Sequence, residues 1–552
     1  MRVRIAAILS ALLAISGTIA GCSRVTPSLH NGASLGGANE WTHPGVLRIG
    51  GRLVPDNLNL LIGTQAIDTD LGMLWADFLL RVDDKGELVP DLATEVPTLA
   101  NGGISRDGLT IIYHLHRNVK WQDGAPFDAD DVIFTYNTIM NRKNFVVTRA
   151  GYELISSIAA PDKYTIVVHL AKPYAPFVRI FFAVSSTSFC VLPKHLLAGL
   201  PDLNRADFNN HPIGTGPFKV VSYEKDVEVR FVANPSYFRG PPRLREIEYH
   251  IVPSDNTLLT QIKTHEIDVY YRASEAQMPS LTGIPGTKIY ATAFTRFGDI
   301  GFNGSHPPLD DVRVRRALAY ATNKADLIAK ITHGVNIPAD SDQPPFLWAF
   351  DPNVRKYPFD PARARALLDA AGWVPGPDGI RRKNGQPLLL VMSGYTGSAT
   401  LTATQEVVQR EWRDVGVDVE IKDYPSDILY APVGEGGIEQ SGKFDAIVES
   451  WGNGSDPDDY VLFGCANAPP NGWNVYHICD PQLEAAEHTA LISNDPAVRK
   501  AQYAIVQERL ADQVPVIFLW FERYITITNS DFTGYRPSHV GSTWWNPWEW
   551  SI

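Results

Sequence analysis

The sequence predicts an α/β protein with mixed sheets, built as two lobes with an extra subdomain inserted early. Three observations lead to that class. Strand-like and helix-like segments alternate along the chain instead of segregating. Residues 388–392, 403–415 and 417–422 read strand, helix, strand, the order of a βαβ unit. Residues 516–528 are apolar and β-rich, and stand where a strand would cross back to the first lobe. The 552 residues suit about three or four domains, and can bury several cores without metal or disulfide staples.

The elements follow in order. Residues 46–50, Val-Leu-Arg-Ile-Gly, open the body as a strand. Residues 109–116 and 163–170 are strands by their β-branched and aromatic content. Residues 128–140 are a helix, because Ala129, Val132, Ile133, Tyr136 and Ile139 recur at helical spacing. Gly214-Thr215-Gly216-Pro217 is a tight turn, from which 218–223 leaves as a strand. A strand at 246–253 and a short helix at 256–264 come next. Residues 310–322 and 324–333 are consecutive helices, the second stopped by Gly334. The helix at 361–371 starts on a proline and ends at Gly372. Residues 444–451 form a strand, and 481–513 are mostly helix. No tandem repeat of fixed period is present.

Composition narrows the function. There are 49 basic and 61 acidic side chains, a formal net charge of -12. A general nucleic-acid binder needs a basic face to neutralise phosphates, so the balance argues against that class while leaving room for a local basic pocket. The 57 aromatic residues (13 Trp, 21 Tyr, 23 Phe) argue against disorder.

The first residues read as an export signal. Arg2 and Arg4 precede a short apolar run, and small residues follow up to Gly21. The run is shorter than the ~20 residues of a membrane-spanning helix. Ile19-Ala20-Gly21-Cys22 looks like a bacterial lipobox, which implies cleavage before Cys22 and lipid on its sulfur; ordinary signal cleavage is the alternative. Residues 1–21 are then a signal peptide and 22–44 a lipidated cysteine with a flexible tether, rich in Ser, Gly, Asn and Pro. Cys465 and Cys479 lie in a Pro-, Gly- and Asn-rich segment. In an oxidising compartment they form either a disulfide or two buried free thiols. Cys190, between Phe189 and Val191, reads as a small core hydrophobe.

Tests for enzyme chemistry fail. Gly437 to Lys443 resembles a phosphate loop, but Phe444 stands where a Ser or Thr should hold magnesium, and a strand follows where a helix is needed. His114 and His116 would share a strand face, yet no third metal ligand lies nearby. His265-Glu266 lacks the second histidine of a zinc protease, and Asp456 to Asp459 lacks the ligand pattern of an EF-hand. No cofactor and no resident metal are expected.

Four segments together carry a resemblance. The first runs from Asp107 through Lys120-Trp121-Gln-Asp-Gly124 to Asp131-Val132. The second is Gly214-Thr-Gly-Pro-Phe218 with Asn234-Pro-Ser-Tyr237-Phe238-Arg-Gly240. The third is Phe302-Asn303 and then Pro308 to Ala321; the fourth is Tyr357-Pro-Phe-Asp360-Pro361 through Gly372-Trp373. In this order, behind a lipobox, they resemble extracellular solute-binding protein family 5, the peptide- and nickel-type receptors of ATP-binding-cassette importers. The resemblance implies a two-lobed fold like the type II periplasmic binding proteins. Domain Ia would comprise 45–75, 212–295 and 516–552, domain Ib 76–211, and the second lobe 296–515. The hinge would lie near 294–302 and 514–520. It also implies a monomer, exported and lipid-anchored, facing the periplasm or cell exterior, that delivers a peptide or other small solute to the permease's transmembrane subunits.

The sequence departs from the dipeptide receptors at their charged anchors. The aspartate that holds a ligand amine, three places after a strand-end Trp, is replaced by Gly454 after Trp451; Asp456 matches a later acid. The arginine that grips the carboxylate is matched by Tyr395 or Thr396. Both grips on a short zwitterion are therefore missing. Cys465 and Cys479 fit the cysteine pair of those receptors' equivalent loop. The expected ligand-binding residues are Trp451, Asn453, Asp456 and Trp473 from the second lobe, with Ile67 and Asp68 from the loop after the first strand. A nickel complex or an oligosaccharide is the alternative cargo. A secreted hydrolase using Asp456 and His477 is the rival from another class.

Overall fold

The computed structural model describes residues 39–185 and 188–552. The signal peptide, Cys22 and the tether up to residue 38 lie outside the described residues. The first lobe opens with β1 (Val46–Gly51) and α1 (Ala66–Trp75). The inserted subdomain carries an antiparallel sheet of β2 (Thr110–His114), β3 (Ile155–Asp162) and β4 (Thr165–Leu170), with β4 central, and helix α2 (Ala129–Met140) beside it. The chain returns as β5 (Phe218–Glu224), β6 (Glu228–Ala233), β7 (Glu246–Ile251), α3 (Asp255–Thr264) and β8 (Val269–Ala273). The long strand β9 (Thr287–Phe302) leads into the second lobe. There stand α4 (Val312–Ala321), α5 (Lys324–Ile331), α6 (Pro361–Ala370), β10 (Leu389–Tyr395), α7 (Ala399–Asp414), β11 (Asp418–Tyr424), β12 (Ala446–Gly452), α8 (Pro481–Ile492) and α9 (Pro496–Gln513). β13 (Val516–Asn529) runs back.

One mixed sheet passes through both lobes in the order β11-β10-β12-β9-β13-β8-β1-β7-β6-β5. β1 is parallel to β7 and β8, and β10 to β11 and β12. β9 and β13 pair antiparallel with each other, from Thr287↔Asn529 to Gly301↔Val516. Their register breaks between Ala293 and Phe297. From Arg296, inside the break, to Phe302 β12 takes the other edge of β9; before the break β8 takes the other edge of β13, from Ile525 to Thr528. Each long strand thus serves one lobe with each half.

The first lobe and the inserted subdomain share a core that includes Leu47, Trp75, Tyr113, Ile166, Phe181 and Trp544. The second lobe has two cores, one on each face of its sheet. Neighbours on β12 show this: Val448 joins Phe302 and Trp412 on one face, Ile447 joins Phe297 and Tyr476 on the other.

Three expectations change. Residues 66–75 form a helix, not a loop. Eight of its ten residues are buried, so no polar stripe marks the helical period. The strand at 109–116 ends at His114, so His114 and His116 do not share a strand face. The body also begins before residue 45. The Asn39 amide donates to the Gly286 carbonyl (3.1 Å) and the Asn529 side chain (2.8 Å), and Trp41 stacks on His265 with ring centroids 4.2 Å apart.

The Gly214-Thr-Gly-Pro segment is a point of close approach. Neither glycine has a positive φ. The Gly216 N–H donates to the Trp75 carbonyl at the end of α1 (3.0 Å), and Gln122 of the inserted subdomain donates to the Gly216 and Phe218 carbonyls. A β-carbon on Gly214 would lie 1.9 Å from the Trp75 carbonyl oxygen. Gly214→Ala must displace backbone, and we expect it to destabilise the protein by about 1–3 kcal/mol. Urea unfolding measures this; an unchanged midpoint would contradict the packing described.

Candidate functional site

The half-buried side chains at the register break open onto a cavity of about 400 Å³ between the lobes. The first lobe contributes Ala66 and Thr69 from the start of α1, Arg272 from β8, and Phe294 and Tyr524 from the crossover strands. The second contributes Ser450, Trp451, Gly452 and Asn453 from the end of β12. Arg296 lines it from β9, and Ser185 reaches it from the inserted subdomain. A hollow of about 510 Å³ elsewhere is lined only by residues between Leu196 and Ile213, so it does not join the lobes.

Trp451 and Asn453 therefore stand on the cavity wall. Trp473 lies behind, its ring centroid 6.0 Å from that of Trp451. Asn453 is held by the crossover: Thr295 Oγ1 donates to its carbonyl (2.6 Å), and its amide donates to the Asp342 carbonyl (3.2 Å).

Ile67 and Asp68 do not line the cavity. Helical geometry turns Ala66 and Thr69, three apart, to one face, and leaves Ile67 fully buried in the first-lobe core. Asp68 closes the capping box of α1, accepting from the Gln65 N–H at 2.9 Å. Burial and the adjoining Asp56 push its carboxyl up to about 9.

Asp456 is also displaced from its expected role. Arg499 grips it with both ends of the guanidinium, at 2.6 and 2.9 Å. Its charge is already paired, and it is absent from the cavity wall. Nor does it pair with His477, which lies near His306. The acid–base pair of the hydrolase reading is not assembled. Among the described residues no group of three or more His, Cys, Asp or Glu side chains could hold a metal ion. Cys465 and Cys479 are bridged, 4.9 Å apart at Cα, and Cys190 is free and buried.

Sequence reasoning missed Arg272, Phe294, Arg296 and Tyr524. A faint signal existed: Phe294 and Arg296 are two apart, the spacing that puts side chains on one face of a strand.

Residues 87–472 match the family described as "Bacterial extracellular solute-binding proteins, family 5 Middle". The chain belongs to this family. Family 5 proteins bind solutes, and the curated relatives agree in length. The chain is 28% identical to the dipeptide-binding protein of Escherichia coli (strain K12), covering 82% of this chain and 85% of that one. It is 24% identical to the oligopeptide-binding protein AppA of Bacillus subtilis (strain 168), over 96% and 95%. The solved structure of NikZ from Campylobacter jejuni in complex with Ni(L-His) matches with a TM-score of 0.74 and 26% identity, over 93% of this chain and all of that one. The two-lobed architecture is thus that of the family. Among the described residues no helix is long and apolar enough to cross a membrane.

The two sides of the cleft also touch away from the cavity. The Tyr174 hydroxyl, from the inserted subdomain, donates to Asp458 of the second lobe at 3.0 Å. Arg179 approaches Asp456 at 4.0 Å. Burial and the adjacent Asp456 push Asp458 up to about 6. Tyr174→Phe removes one hydrogen bond across the lobes, about 1 kcal/mol. Small-angle scattering of the ligand-free variant is expected to show a larger radius of gyration than the parent; equal radii would mean that this contact does not hold the lobes.

Beneath the cavity floor three acids are buried together. Asp299 on β9 faces Glu449 on β12 across the ladder, with Glu439 beside them. Neither Asp299 oxygen has a partner. Burial raises all three, Glu449 to about 7, and mutual repulsion adds to it for Asp299 and Glu439. A carboxyl whose folded pKa exceeds its unfolded value binds its proton more tightly in the native state. Its stabilising contribution is full below the ordinary carboxylate range and is lost as pH rises toward 7. Glu449→Gln abolishes that loss, so the variant's stability relative to the parent is expected to rise between about pH 4.5 and 7. Melting temperatures across that range test this; a constant difference would refute it.

Proposed function

We propose that this chain is the substrate-binding lipoprotein of an ATP-binding-cassette importer. It closes two lobes on a peptide or peptide-like solute and hands it to the permease. The observation that carries the reading is the 400 Å³ cavity, lined from both lobes at the register break of β9 and β13. That volume lies within the range of about 300–1,000 Å³ usual for small-molecule sites. The wall is suited to a chain-like solute. Phe294, Tyr524 and Trp451 offer large contact area with few rotors to freeze. The dipeptide- and oligopeptide-binding names of two curated relatives favour peptides. The NikZ complex with Ni(L-His) supports a second reading, in which the cargo is a nickel complex.

Such a receptor breaks no bonds. It needs a higher affinity in the closed form than in the open one. The Ile19 to Cys22 motif supports a lipid anchor that holds the protein, as a monomer, on the outer face of the cell membrane.

Isothermal calorimetry against peptide pools, and separately against nickel complexes and oligosaccharides, tests the reading. Saturable binding is expected in the peptide pools. Binding in another pool alone would change the cargo, and no saturable ligand in any pool would overturn the function. Cys22→Ser is expected to move the protein from the membrane fraction to the soluble one.

A further inference from the structure

The charged groups on the cavity wall are two guanidiniums, Arg272 and Arg296, with no carboxylate among its lining residues. A ligand ammonium meets no acid there. Asp456 is committed to Arg499, and Asp68 lies within the α1 cap.

Both arginines are aimed by partners behind them. Arg272 Nη2 donates to Asp70 at 3.1 Å and Nε to the Tyr271 hydroxyl at 3.0 Å, while its guanidinium lies 4.2 Å from the centroid of the Tyr524 ring. Asp70 is itself fixed by Ser542 (2.6 Å) and Tyr271 (2.7 Å). Arg272 sits at φ 51°, in the bulge of β8 between Tyr270 and Ala273. That backbone conformation is unfavourable for a side chain of this size and places it off the ladder. Arg296 Nε donates to Glu522 and Nη2 to the Ser450 carbonyl, each at 3.3 Å. Among the described residues Nη1 of each arginine makes no hydrogen bond and is not among the fully buried polar atoms. A guanidinium carries five donors in a fork that matches a carboxylate, so each retains donors for the cavity.

The two lie on opposite sides of the crossover. Arg272 belongs to the first lobe; Arg296 lies within the register break, paired with Gly452 and bonded to the Ser450 carbonyl of the second. A solute with two acidic groups could span them, and would thereby favour the closed form over the open one.

We infer that the cavity selects its solute by carboxylates, held by Arg272 and Arg296, so that its ligands are acidic peptides or peptide-like acids. This rests on the peptide-capture reading above, and names the substrate class of that site. The missing amine anchor becomes intelligible: the grip is on negative charge.

The test uses full-length protein in detergent and three tetrapeptides of one backbone, N-acetylated and C-amidated so that only the side chains carry charge: Ala-Glu-Glu-Ala, Ala-Gln-Gln-Ala and Ala-Lys-Lys-Ala. Calorimetry is expected to rank the glutamate peptide at least about tenfold tighter than the glutamine peptide, with the lysine peptide weakest, each charged contact contributing on that scale. Arg296→Gln, at a partly exposed site, should weaken the glutamate peptide about tenfold and leave the glutamine peptide within about threefold. Glu522→Gln, which frees Arg296 from its competitor, should tighten the glutamate peptide. Equal affinities for the three peptides, preference for lysine, or indifference of the glutamate peptide to both variants would sink the inference and leave peptide capture standing. Failure of every peptide, including the pools, would remove both.

Discussion

The antiparallel pairing of β9 with β13 is the constraint on which the rest depends. Backbone hydrogen bonds run along nearly the whole length of two strands, and each strand is shared between lobes. A ladder of that length resists twisting apart, so the lobes cannot separate. The ladder is interrupted most widely between Ala293 and Phe297, where the lobes meet, with a second, smaller shift between Gly298 and Asp299. Bending is cheapest there, because the fewest cross-strand bonds are strained. The cavity opens at the same place, so motion and binding share a few residues.

The polar groups around the cavity sort into two kinds. Some are spent on the architecture: Asp456 on Arg499, Asp68 on the cap of α1, Asn453 on the backbone of the 342 segment. Others keep capacity in hand, as Arg272 and Arg296 do. Buried charges must be paired to be tolerated, and the acids that pair these arginines approach from behind. The neighbouring Asp299, Glu449 and Glu439 follow the other route, holding protons where no cation neutralises them fully.

Much of the secondary structure was legible because periodicity is local. The helix at 128–140 and the helices flanking Thr322 and Asn323 appear within about two residues of their predicted bounds. The βαβ order of 388–422 appears as β10, α7 and β11, with β10 and β11 parallel. Helix α1 was not legible, since a helix buried on nearly all sides shows no stripe. The start of β9, before residue 294, escaped notice too, and with it the length of the pairing with β13. Family 5 membership was legible from four short motifs in order. The role of Gly214 in close packing was not, because the partner is a carbonyl 139 positions away in the chain.

The sequence by itself determined the class of fold and the family. Each of these is written in neighbouring residues. Only the tertiary structure decided which charges face the solute. Asp456 and Arg296 are equally polar on paper, and their fates differ because one meets Arg499 across the fold and the other meets Glu522 and an open cavity. Whether a charged group is free depends on what packs against it, and for these residues the partners come from 43 and 226 positions away.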